Sequence, residues 1–281
     1  MRGTIGAVVL AACAGASPRP PLTLTYLGVA GWQIDSGATT LLADPYFSRP
    51  ALDGPIASDA AAVAARSPVR AAAIVVGHSH VDHLLDAPAV AKRTGAQLIG
   101  SESTIRVARA SGVPDDHLIT VKGGEDLEFG AFSIRAIPSL HSALDGKHGF
   151  GRAIAEVPTL PMTFAQYEEG GTFAYLVRVG GHQILVLDTA NFIERELEGV
   201  HPDIAIIAPG LRGEIHDYTC RLLHVLGDPP RVYATHFDNW RGPPVDAPPD
   251  ADLQAFAREV ARCSPATTLV IPKHFAPMVV R

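Results

Sequence analysis

A run of six residues, His-Ser-His-Val-Asp-His at positions 78–83, constrains this chain more than any other feature of its sequence. The run follows a continuous apolar segment at 71–76 and a glycine at 77, which is typical of a strand buried on both faces and its closing turn. On a loop that enters a helix, His78 and His80 can converge on one point, and Asp82 and His83 on another. Imidazole and carboxylate are ligands that suit zinc and similar divalent ions. We interpret the run as a metal-binding motif rather than as a polar strand end with solvated histidines.

Three further candidate ligands each follow a predicted strand. His141 comes shortly after the strand at 132–137, Asp188 directly after the strand at 183–187, and His236 after the strand at 231–234. Side chains at strand ends can meet along one edge of a fold without disturbing its core. Each of these residues alone could be an ordinary polar side chain. Together with the run at 78–83, they predict one shared metal site.

Composition and charge narrow the class of protein. The chain has 281 residues, of which 47% are hydrophobic and 19% charged, which excludes a disordered polar protein. The 23 Lys and Arg residues against 29 Asp and Glu residues give a formal net charge of −6. We therefore predict no nucleic-acid partner, because such binding requires a basic surface that displaces counterions from phosphates. Strands with interleaved helices recur in both halves, which predicts one domain at 22–281 with two packed sheets covered by helices.

The first 21 residues predict an export signal followed by a tether. A basic residue precedes a short apolar run that ends in Leu-Ala-Ala-Cys at 10–13, which resembles the bacterial lipoprotein signal. The run is far shorter than the roughly 20 apolar residues that span a bilayer. We therefore predict lipidation of Cys13, a place in the bacterial cell envelope, and membrane contact only through this anchor. The alternatives are a soluble exported protein and an uncleaved leader or misplaced start codon.

Two cysteines remain if Cys13 is lipidated. Cys220 lies in one helical pattern and Cys263 near the end of another. Cysteine is commonly a small buried hydrophobic residue. The sequence therefore favours two separate thiols over a Cys220–Cys263 disulfide.

The series H-x-H-x-D-H, His, Asp and His, each behind a strand, resembles the metallo-β-lactamase fold hydrolases from residue 22 to near the C-terminus. The resemblance implies an α+β fold, a four-layer αββα sandwich with a binuclear metal site at one edge. The residues implied for the first ion are His78, His80 and His141; those implied for the second are Asp82, His83 and His236; and Asp188 would bridge both ions. The ions would be two divalent metals, first Zn²⁺, with Mn²⁺ or Fe as alternatives. A hydroxide shared between them would attack the scissile bond, and Asp82 would also orient it.

Two further details follow from the resemblance. Asp44, after the predicted strand at 39–43, matches an aspartate of this fold that orients a metal-binding histidine, although it could simply cap a turn before Pro45. The segments 43–45, 138–142 and 235–237 are similar to the branch that contains ascorbate-phosphate lactonases and N-acyl-phosphatidylethanolamine phospholipase D enzymes. β-Lactamases of this fold generally lack a carboxylate at the position of Asp188, which disfavours β-lactam hydrolysis.

Candidate substrate-binding residues lie in three places. Arg212 and His216 occur in a segment at 209–216 that contains two glycines, where the arginine could hold a phosphate or carboxylate; the alternatives are a surface arginine and a helix-capping histidine. His274 follows the last predicted strand and is a weaker candidate. The long segment at 142–171 predicts a loop or lid, and its apolar residues would suit an acyl or lipid substrate or ordinary packing. Trp240 could line the same cleft.

These observations predict an enzyme. We expect a metal-dependent hydrolase that cleaves an ester-like or phosphodiester bond of a small molecule or lipid. One alternative is a lactonase or β-lactamase-like amide hydrolase. The non-enzymatic alternative is a metal-bound, ligand-binding lipoprotein, which the complete ligand set disfavours.

Overall fold

The computed structural model describes residues 21–144 and 152–280. The predicted signal and tether at 1–21, including the lipidation site Cys13, therefore lie outside the described residues except for Pro21. Among the helices of the described residues, none has the length and apolar character needed to span a membrane.

The first sheet combines the N-terminal part of the chain with its last strand. In spatial order its seven strands are β16 (Pro277–Val280), β1 (Leu22–Gly28), β2 (Gly31–Asp35), β3 (Thr40–Ala43), β5 (Ala73–Val75), β6 (Gln97–Gly100) and β7 (Leu118–Thr120). The run from β3 to β7 is parallel, so the carboxyl ends of these strands lie at one edge. All three residues of β5 are buried, as the apolar pattern at 71–76 predicts. The sequence did not predict β16, which pairs antiparallel with β1.

The second sheet is built from the rest of the chain. In spatial order its seven strands are β15 (Thr268–Val270), β14 (Arg231–Ala234), β13 (Ile204–Ile207), β12 (His182–Leu187), β11 (Phe173–Val179), β9 (Phe132–Pro138) and β8 (Asp126–Phe129). The strands from β12 to β15 are parallel, and β11 and β12 form a hairpin. The glycines at 180 and 181 both have positive φ, 60° and 92°, which explains the glycine pair in this turn.

Helices cover the outer face of each sheet. The first sheet is covered by α1 (Ala60–Arg66), α2 (Val81–Leu84), α3 (Ala87–Thr94) and α4 (Glu102–Ala110); the second by α5 (Glu194–Leu197), α6 (Tyr218–Val225) and α7 (Ala251–Cys263). Alternate residues of one strand face different cores: Leu41 packs between the two sheets, whereas Leu42 packs under the helices of the first sheet. Likewise Ile184 faces the inter-sheet core and Leu185 faces the other helical layer. The predicted four-layer αββα sandwich is confirmed.

The segment at 142–171, predicted to be a loop or lid, contains local structure in its described part. A short strand β10 (Met162–Thr163) pairs with β4 (Pro55–Ile56), and a 3-10 turn follows at Phe164–Gln166. The side chains of Met162 and Tyr167 are buried in the core under the first helical layer. The end of this segment is therefore anchored to the first half of the chain.

Cys220 and Cys263 form a disulfide, so the prediction of two separate thiols was wrong. Cys220 lies in α6 and Cys263 is the last residue of α7, with their Cα atoms 5.0 Å apart. The two cysteines are separated by 43 positions in the sequence. Only the packing of α6 against α7 brings the two sulfur atoms together, and the sequence pattern of either helix does not contain this information.

Candidate metal centre

The motif residues lie where β5 ends and α2 begins. The residue before the helix, His80, is extended (φ −64°, ψ 157°), and α2 begins at Val81. His78 and His80 therefore lie on the loop, while Asp82 and His83 lie in the first turn of the helix. His78 and His83 are each only 1% exposed, and their ring centroids are 3.9 Å apart. This is the loop-to-helix arrangement that the spacing predicts.

Six of the predicted ligands form two groups in which the ligand atoms lie within 4.8 Å of one another. The first group is His78, His80 and His141; the second is Asp82, His83 and His236. Within the first group, Nε2 of His78 is 3.1 Å from Nδ1 of His80. Within the second, Nε2 of His236 is 3.2 Å from Oδ2 of Asp82. The structure thus brings together the same two sets of residues that the resemblance implies.

Asp188 lies between the two groups. Its Oδ2 atom is 2.9 Å from Nδ1 of His78, in the first group, and 3.1 Å from Nδ1 of His83, in the second. The residue is 1% exposed, and its Oδ1 atom has no hydrogen-bond partner among the described residues. A buried carboxylate oxygen without a donor is unfavourable unless a cation neutralises it. This unpaired oxygen, beside two groups of imidazole and carboxylate ligands, fits a cation at the centre.

Asp44 lies behind the ligands, at the end of β3. Its Oδ1 atom accepts a hydrogen bond of 2.8 Å from the backbone N–H of Gly77, and its Oδ2 atom is 3.3 Å from Nδ1 of His83. Burial raises the pKa of Asp44 to about 6, although the neighbouring His83 opposes this change. A carboxylate in this position orients the imidazole of His83 and the turn that carries His78. These two contacts favour the orienting role of Asp44 over a simple turn cap.

Gly77 is required by the close approach of Asp188. A Cβ atom at position 77 would lie 2.0 Å from Oδ2 and 2.4 Å from Cγ of Asp188. Any larger residue would have to displace the carboxylate. The glycine at the end of β5 is therefore a space requirement of the metal centre as well as a turn residue.

Burial and the neighbouring charges keep His78, His80, Asp82 and Asp188 in the protonation states that bind metal. His83 differs, because the carboxylates of Asp82 and Asp44 raise its pKa well above the usual value against the effect of burial. Burial, together with the nearby imidazoles, lowers the pKa of His78 to about 3 and that of His80 to about 2. Burial alone would raise the pKa of the Asp82 carboxyl, but His83 and His236 hold it well below its usual range. Burial opposes ionisation of Asp188 too, yet its hydrogen bond to His78 holds the pKa low. Neutral imidazoles and ionised carboxylates are the forms that bind divalent ions.

Comparison with known proteins identifies the family. Residues 39–237, more than half of the chain, match the model of the Beta-lactamase superfamily domain. The chain belongs to this superfamily. A UPF0173 metal-dependent hydrolase of Heliobacterium modesticaldum is 26% identical over 272 residues, which cover 90% of this chain and 99% of that protein. The protein is therefore a metal-dependent hydrolase of the metallo-β-lactamase fold.

Solved structures of this superfamily fold have the same architecture. Igni18, a metallo hydrolase from Ignicoccus hospitalis, aligns with a TM-score of 0.60 at 17% identity over 92% of this chain and 98% of its own. CmlA, a diiron β-hydroxylase from Streptomyces venezuelae, aligns with a TM-score of 0.64 at 17% identity over 94% of this chain and 55% of its own. At 17% identity, these two structural alignments establish the fold of this chain and nothing more.

Arg212 does not lie in the cleft, and its predicted role as a substrate anchor is corrected. Its neighbour Leu211 adopts a positive φ of 65° and lines the cleft, whereas the Arg212 side chain points away towards α7 and is buried. There its guanidinium donates to both carboxylate oxygens of Glu259, at 2.9 and 3.0 Å, and to Asp252 at 2.7 Å. These contacts raise the pKa of Arg212 against the opposing effect of burial. Arg212 stabilises the packing of α7 instead of holding a substrate.

Arg212→Ala is therefore expected to lower the free energy of unfolding by about 2 kcal/mol and to leave KM unchanged. The effect is smaller than for a fully buried ion pair because Glu259 is partly exposed. Urea denaturation and KM on one active substrate measure both quantities. The matched control is Arg195→Ala, an exposed arginine of α5, which should change stability by less than about 0.5 kcal/mol. A raised KM with unchanged stability would restore the original prediction.

The two other predicted substrate residues also lie away from the cleft lining. His216 is exposed, and its carbonyl oxygen accepts a hydrogen bond from Arg221. His274 lies between two carboxylates: Nε2 is 3.0 Å from Oδ2 of Asp238, and Nδ1 is 2.8 Å from Oδ1 of Asp246. Of these, Asp238 does line the cleft. His274 can thus influence the cleft only through Asp238.

The cleft at the metal centre has a volume of about 620 Å³. Beyond the ligands its lining is mostly apolar, and the large apolar side chains in it are Leu144, Phe164, Tyr167, Leu211 and Trp240. The rings of Phe164 and Trp240 stack with centroids 5.9 Å apart. The sequence suggested Trp240 and the apolar residues of the segment at 142–171, among them Phe164 and Tyr167, but missed Leu211, Glu168 and Asp238. Only Asp238 left a sequence signal, since it lies two positions after His236.

Proposed function

We propose that this protein binds two divalent ions and hydrolyses an ester-like bond, in an ester, thioester or lactone of a small molecule with an uncharged apolar arm. The observation that supports two bound ions is the position of Asp188 between the two groups of ligands. The lining of the cleft supports the choice of substrate. Both statements are more specific than the superfamily assignment.

The residues of the chain have separable roles in this reaction. His78, His80 and His141 would hold one ion, and Asp82, His83 and His236 the other, with Asp188 reaching both. Bound divalent ions would supply a nucleophile at neutral pH by lowering the pKa of water, and would polarise the scissile carbonyl. The carboxylate of Asp82, 3.2 Å from His236, can accept a hydrogen bond from water in the cleft and orient it. Asp44 keeps the His83 imidazole in one orientation.

The side chains that line the cleft favour a substrate with an apolar arm. Phe164 is 43% exposed, an unusual exposure for a large aromatic residue unless a ligand covers it. It stacks on Trp240 at the side of the cleft, and Leu144 and Leu211 line other parts of the wall. An acyl chain or a ring of the substrate would bury these side chains and gain free energy in proportion to the apolar area removed from water.

The charges of the side chains that line the cleft favour a substrate whose arm is uncharged. Among the lining residues that the structure describes there is no lysine or arginine, and the charged side chains beyond the ligands are Glu168 and Asp238. An anionic group on the arm would find no lysine or arginine among these lining residues to pair with it. This argues against β-lactams, which carry a carboxylate away from the scissile bond.

A substrate panel with metal-loaded protein tests the proposal. The panel contains p-nitrophenyl octanoate, a lactone, a thioester, bis-p-nitrophenyl phosphate and nitrocefin, and metal content is measured on the same sample. Turnover of the carboxylic esters above the last two compounds is the expected result. Turnover of bis-p-nitrophenyl phosphate alone would instead assign a phosphodiesterase. No turnover of any substrate by protein that holds two ions would favour the non-enzymatic ligand-binding lipoprotein.

For the metal we propose Zn²⁺, because five histidines and two carboxylates around one centre suit it. The same donors also bind Mn²⁺ and iron, so these two metals are the alternatives. Reconstitution of metal-free protein with each ion, followed by the ester assay, tests this choice. Higher activity with iron than with zinc would overturn it.

We also propose that the protein is exported to the bacterial cell envelope and lipidated at Cys13. The Cys220–Cys263 disulfide supports export, because disulfides persist in oxidising compartments. Mass spectrometry of the mature N-terminus from the native host tests this proposal. A lipid-modified Cys13 is expected, and an intact Met1 would overturn it.

Trp240→Ala is expected to raise KM about tenfold for p-nitrophenyl octanoate and to change kcat little. Loss of one aromatic contact in a binding site removes about 1.5 kcal/mol, which corresponds to about tenfold in affinity. The effect should be smaller for p-nitrophenyl acetate, whose acyl group is too short to reach this wall. Steady-state kinetics with both esters measure the difference. An equal rise in KM for the two esters would contradict the apolar-arm assignment.

A further inference from the structure

Asp238 is a buried carboxylate at the edge of the cleft, with its side chain 7% exposed. It lies two positions after His236, on the loop that follows β14. Four donors from elsewhere in the fold meet its two oxygens. The donors to Oδ1 are the Tyr26 hydroxyl at 2.7 Å and the Val29 N–H at 2.8 Å, and those to Oδ2 are His274 Nε2 at 3.0 Å and Arg49 Nη2 at 3.3 Å.

These donors connect the two sheets at the metal edge. Tyr26 and Val29 belong to β1 and the turn after it in the first sheet, whereas Asp238 follows a strand of the second. The Val29 carbonyl oxygen in turn accepts hydrogen bonds from the His236 N–H at 2.5 Å and from the Thr235 hydroxyl at 2.9 Å. The loop that carries His236 is thus held to the first sheet from both sides of the histidine.

The backbone at this junction needs such support. His236 has a φ of 52° and Val29 a φ of 54°, both in the left-handed region that side chains other than glycine rarely adopt. Such conformations persist only where surrounding contacts impose them. Without Asp238, the Val29 N–H would lose its hydrogen bond to the second sheet. The backbone conformations of Val29 and His236 would then lose this support.

The same cluster extends along the loop beyond His236. Nη1 of Arg49 donates to the carbonyl oxygens of Asn239, at 2.6 Å, and Gly242, at 3.2 Å. The other ring nitrogen of His274 contacts Asp246, farther along the loop. Asp238 is the residue that Arg49 and His274 share, so its carboxylate joins these contacts into one unit.

We propose that Asp238 is a positioning residue that holds His236 in the orientation needed to bind the second ion. The inference rests on the proposed two-ion site but concerns a residue outside both groups of ligands. The hydrogen bonds of Asp238 join the loop of His236 to Tyr26, Val29, Arg49 and His274, which lie outside the segments that carry the first group, so we expect His78, His80 and His141 not to depend on it. Its oxygens already accept four donors, so it is not itself a ligand.

Metal titration of Asp238→Asn tests the proposal without substrate. The asparagine side chain has the same shape as that of aspartate, but its NH₂ group would face existing donors at one of the two oxygen positions and could not accept their hydrogen bonds. Metal-free protein is titrated with Zn²⁺, and bound metal is counted after gel filtration. We expect the second ion to bind about 10–100-fold more weakly, the range typical for loss of a group that orients a ligand, with the first ion unchanged. His236→Ala is the reference and should lose the same ion.

The matched control is Asp203→Asn. Asp203 also accepts from a histidine ring, His182 Nδ1 at 2.5 Å, and from a backbone N–H, that of Gln183 at 2.5 Å. It contacts the first residues of β12, at the opposite end of that strand from Asp188. Both ions should bind to this variant as they do to the parent protein.

A second pair of variants keeps the test decisive if Asp238→Asn does not fold. His274→Ala should weaken binding of the second ion severalfold, and His274→Gln, whose amide can still donate to Asp238, should restore most of the affinity.

Weak binding of the second ion, with rescue by His274→Gln, supports the positioning role. Unchanged second-ion binding in Asp238→Asn or His274→Ala, when His236→Ala loses an ion, overturns it. Equal loss of both ions, with a lower melting temperature of the metal-free protein, also overturns it because the role would then be only structural. If His236→Ala itself keeps both ions, the ligand assignment of the proposed function fails and this inference with it.

Discussion

Asp188→Ala protein should retain its fold, bind one ion instead of two, and lose at least about 100-fold in kcat. Asp188 lies close to a histidine of each group, with its Oδ2 atom 2.9 Å from Nδ1 of His78 and 3.1 Å from Nδ1 of His83. Two cations held close together repel each other more strongly when no negative charge lies between them. Since loss of a group that merely orients a ligand costs about 10–100-fold, loss of a shared ligand should cost more.

Metal content, kcat and KM on one active ester measure this effect. KM should change little, because in the proposed function the apolar side chains of the cleft, and not Asp188, bind the arm of the substrate. The matched control is Asp126→Ala, which removes an exposed aspartate that pairs with Arg178 on the second sheet. It should match the parent protein in metal content and kcat. Two ions and full activity in Asp188→Ala would refute the bridging role.

Gly77→Ala should abolish binding of at least one ion and lower the free energy of unfolding by about 3 kcal/mol. The new methyl group would lie 2.0 Å from Oδ2 of Asp188, in a buried site where neither group can move freely. Overpacking of a core typically costs about 1–3 kcal/mol, and displacement of a charged side chain places this case at the upper end. Metal analysis and urea denaturation of the metal-free protein measure the two effects.

Gly54→Ala is the matched control for this substitution. A Cβ atom at position 54 would meet no atom within 4 Å, so stability and metal content should remain those of the parent protein. The double variant Gly77→Ala/Asp188→Ala provides a sharper test, because the alanine at 188 lacks all three atoms that the new methyl group would meet. Its stability should be close to that of Asp188→Ala alone. Additive losses in the double variant would show that the Gly77 effect has another cause.

The sequence, with the resemblance that it carries, was sufficient to predict the sandwich and to name the seven candidate ligands that the structure brings together at one site. Local patterns carry this information: an apolar run of strand length, a turn glycine, and ligand-type residues directly after them, as at His78 and His80. The strand ends before Asp188 and His236 are equally visible, because hydrophobic periodicity depends only on neighbours in the chain. The resemblance then grouped these positions into two sets, and the structure places the same sets together.

Only the tertiary structure decided what each side chain away from these strand ends contacts. Arg212 and Leu211 are adjacent in a loop, yet one turns to Glu259, 47 positions away, and the other lines the cleft. The Cys220–Cys263 disulfide depends on helix packing, and the contacts of Asp238 reach back about 200 positions to the first sheet. Such contacts leave no local pattern, because the free energy that selects them comes from packing between distant segments. The sequence thus determined which residues are candidate metal ligands, and the fold determined which residues contact those candidates and which line the cleft.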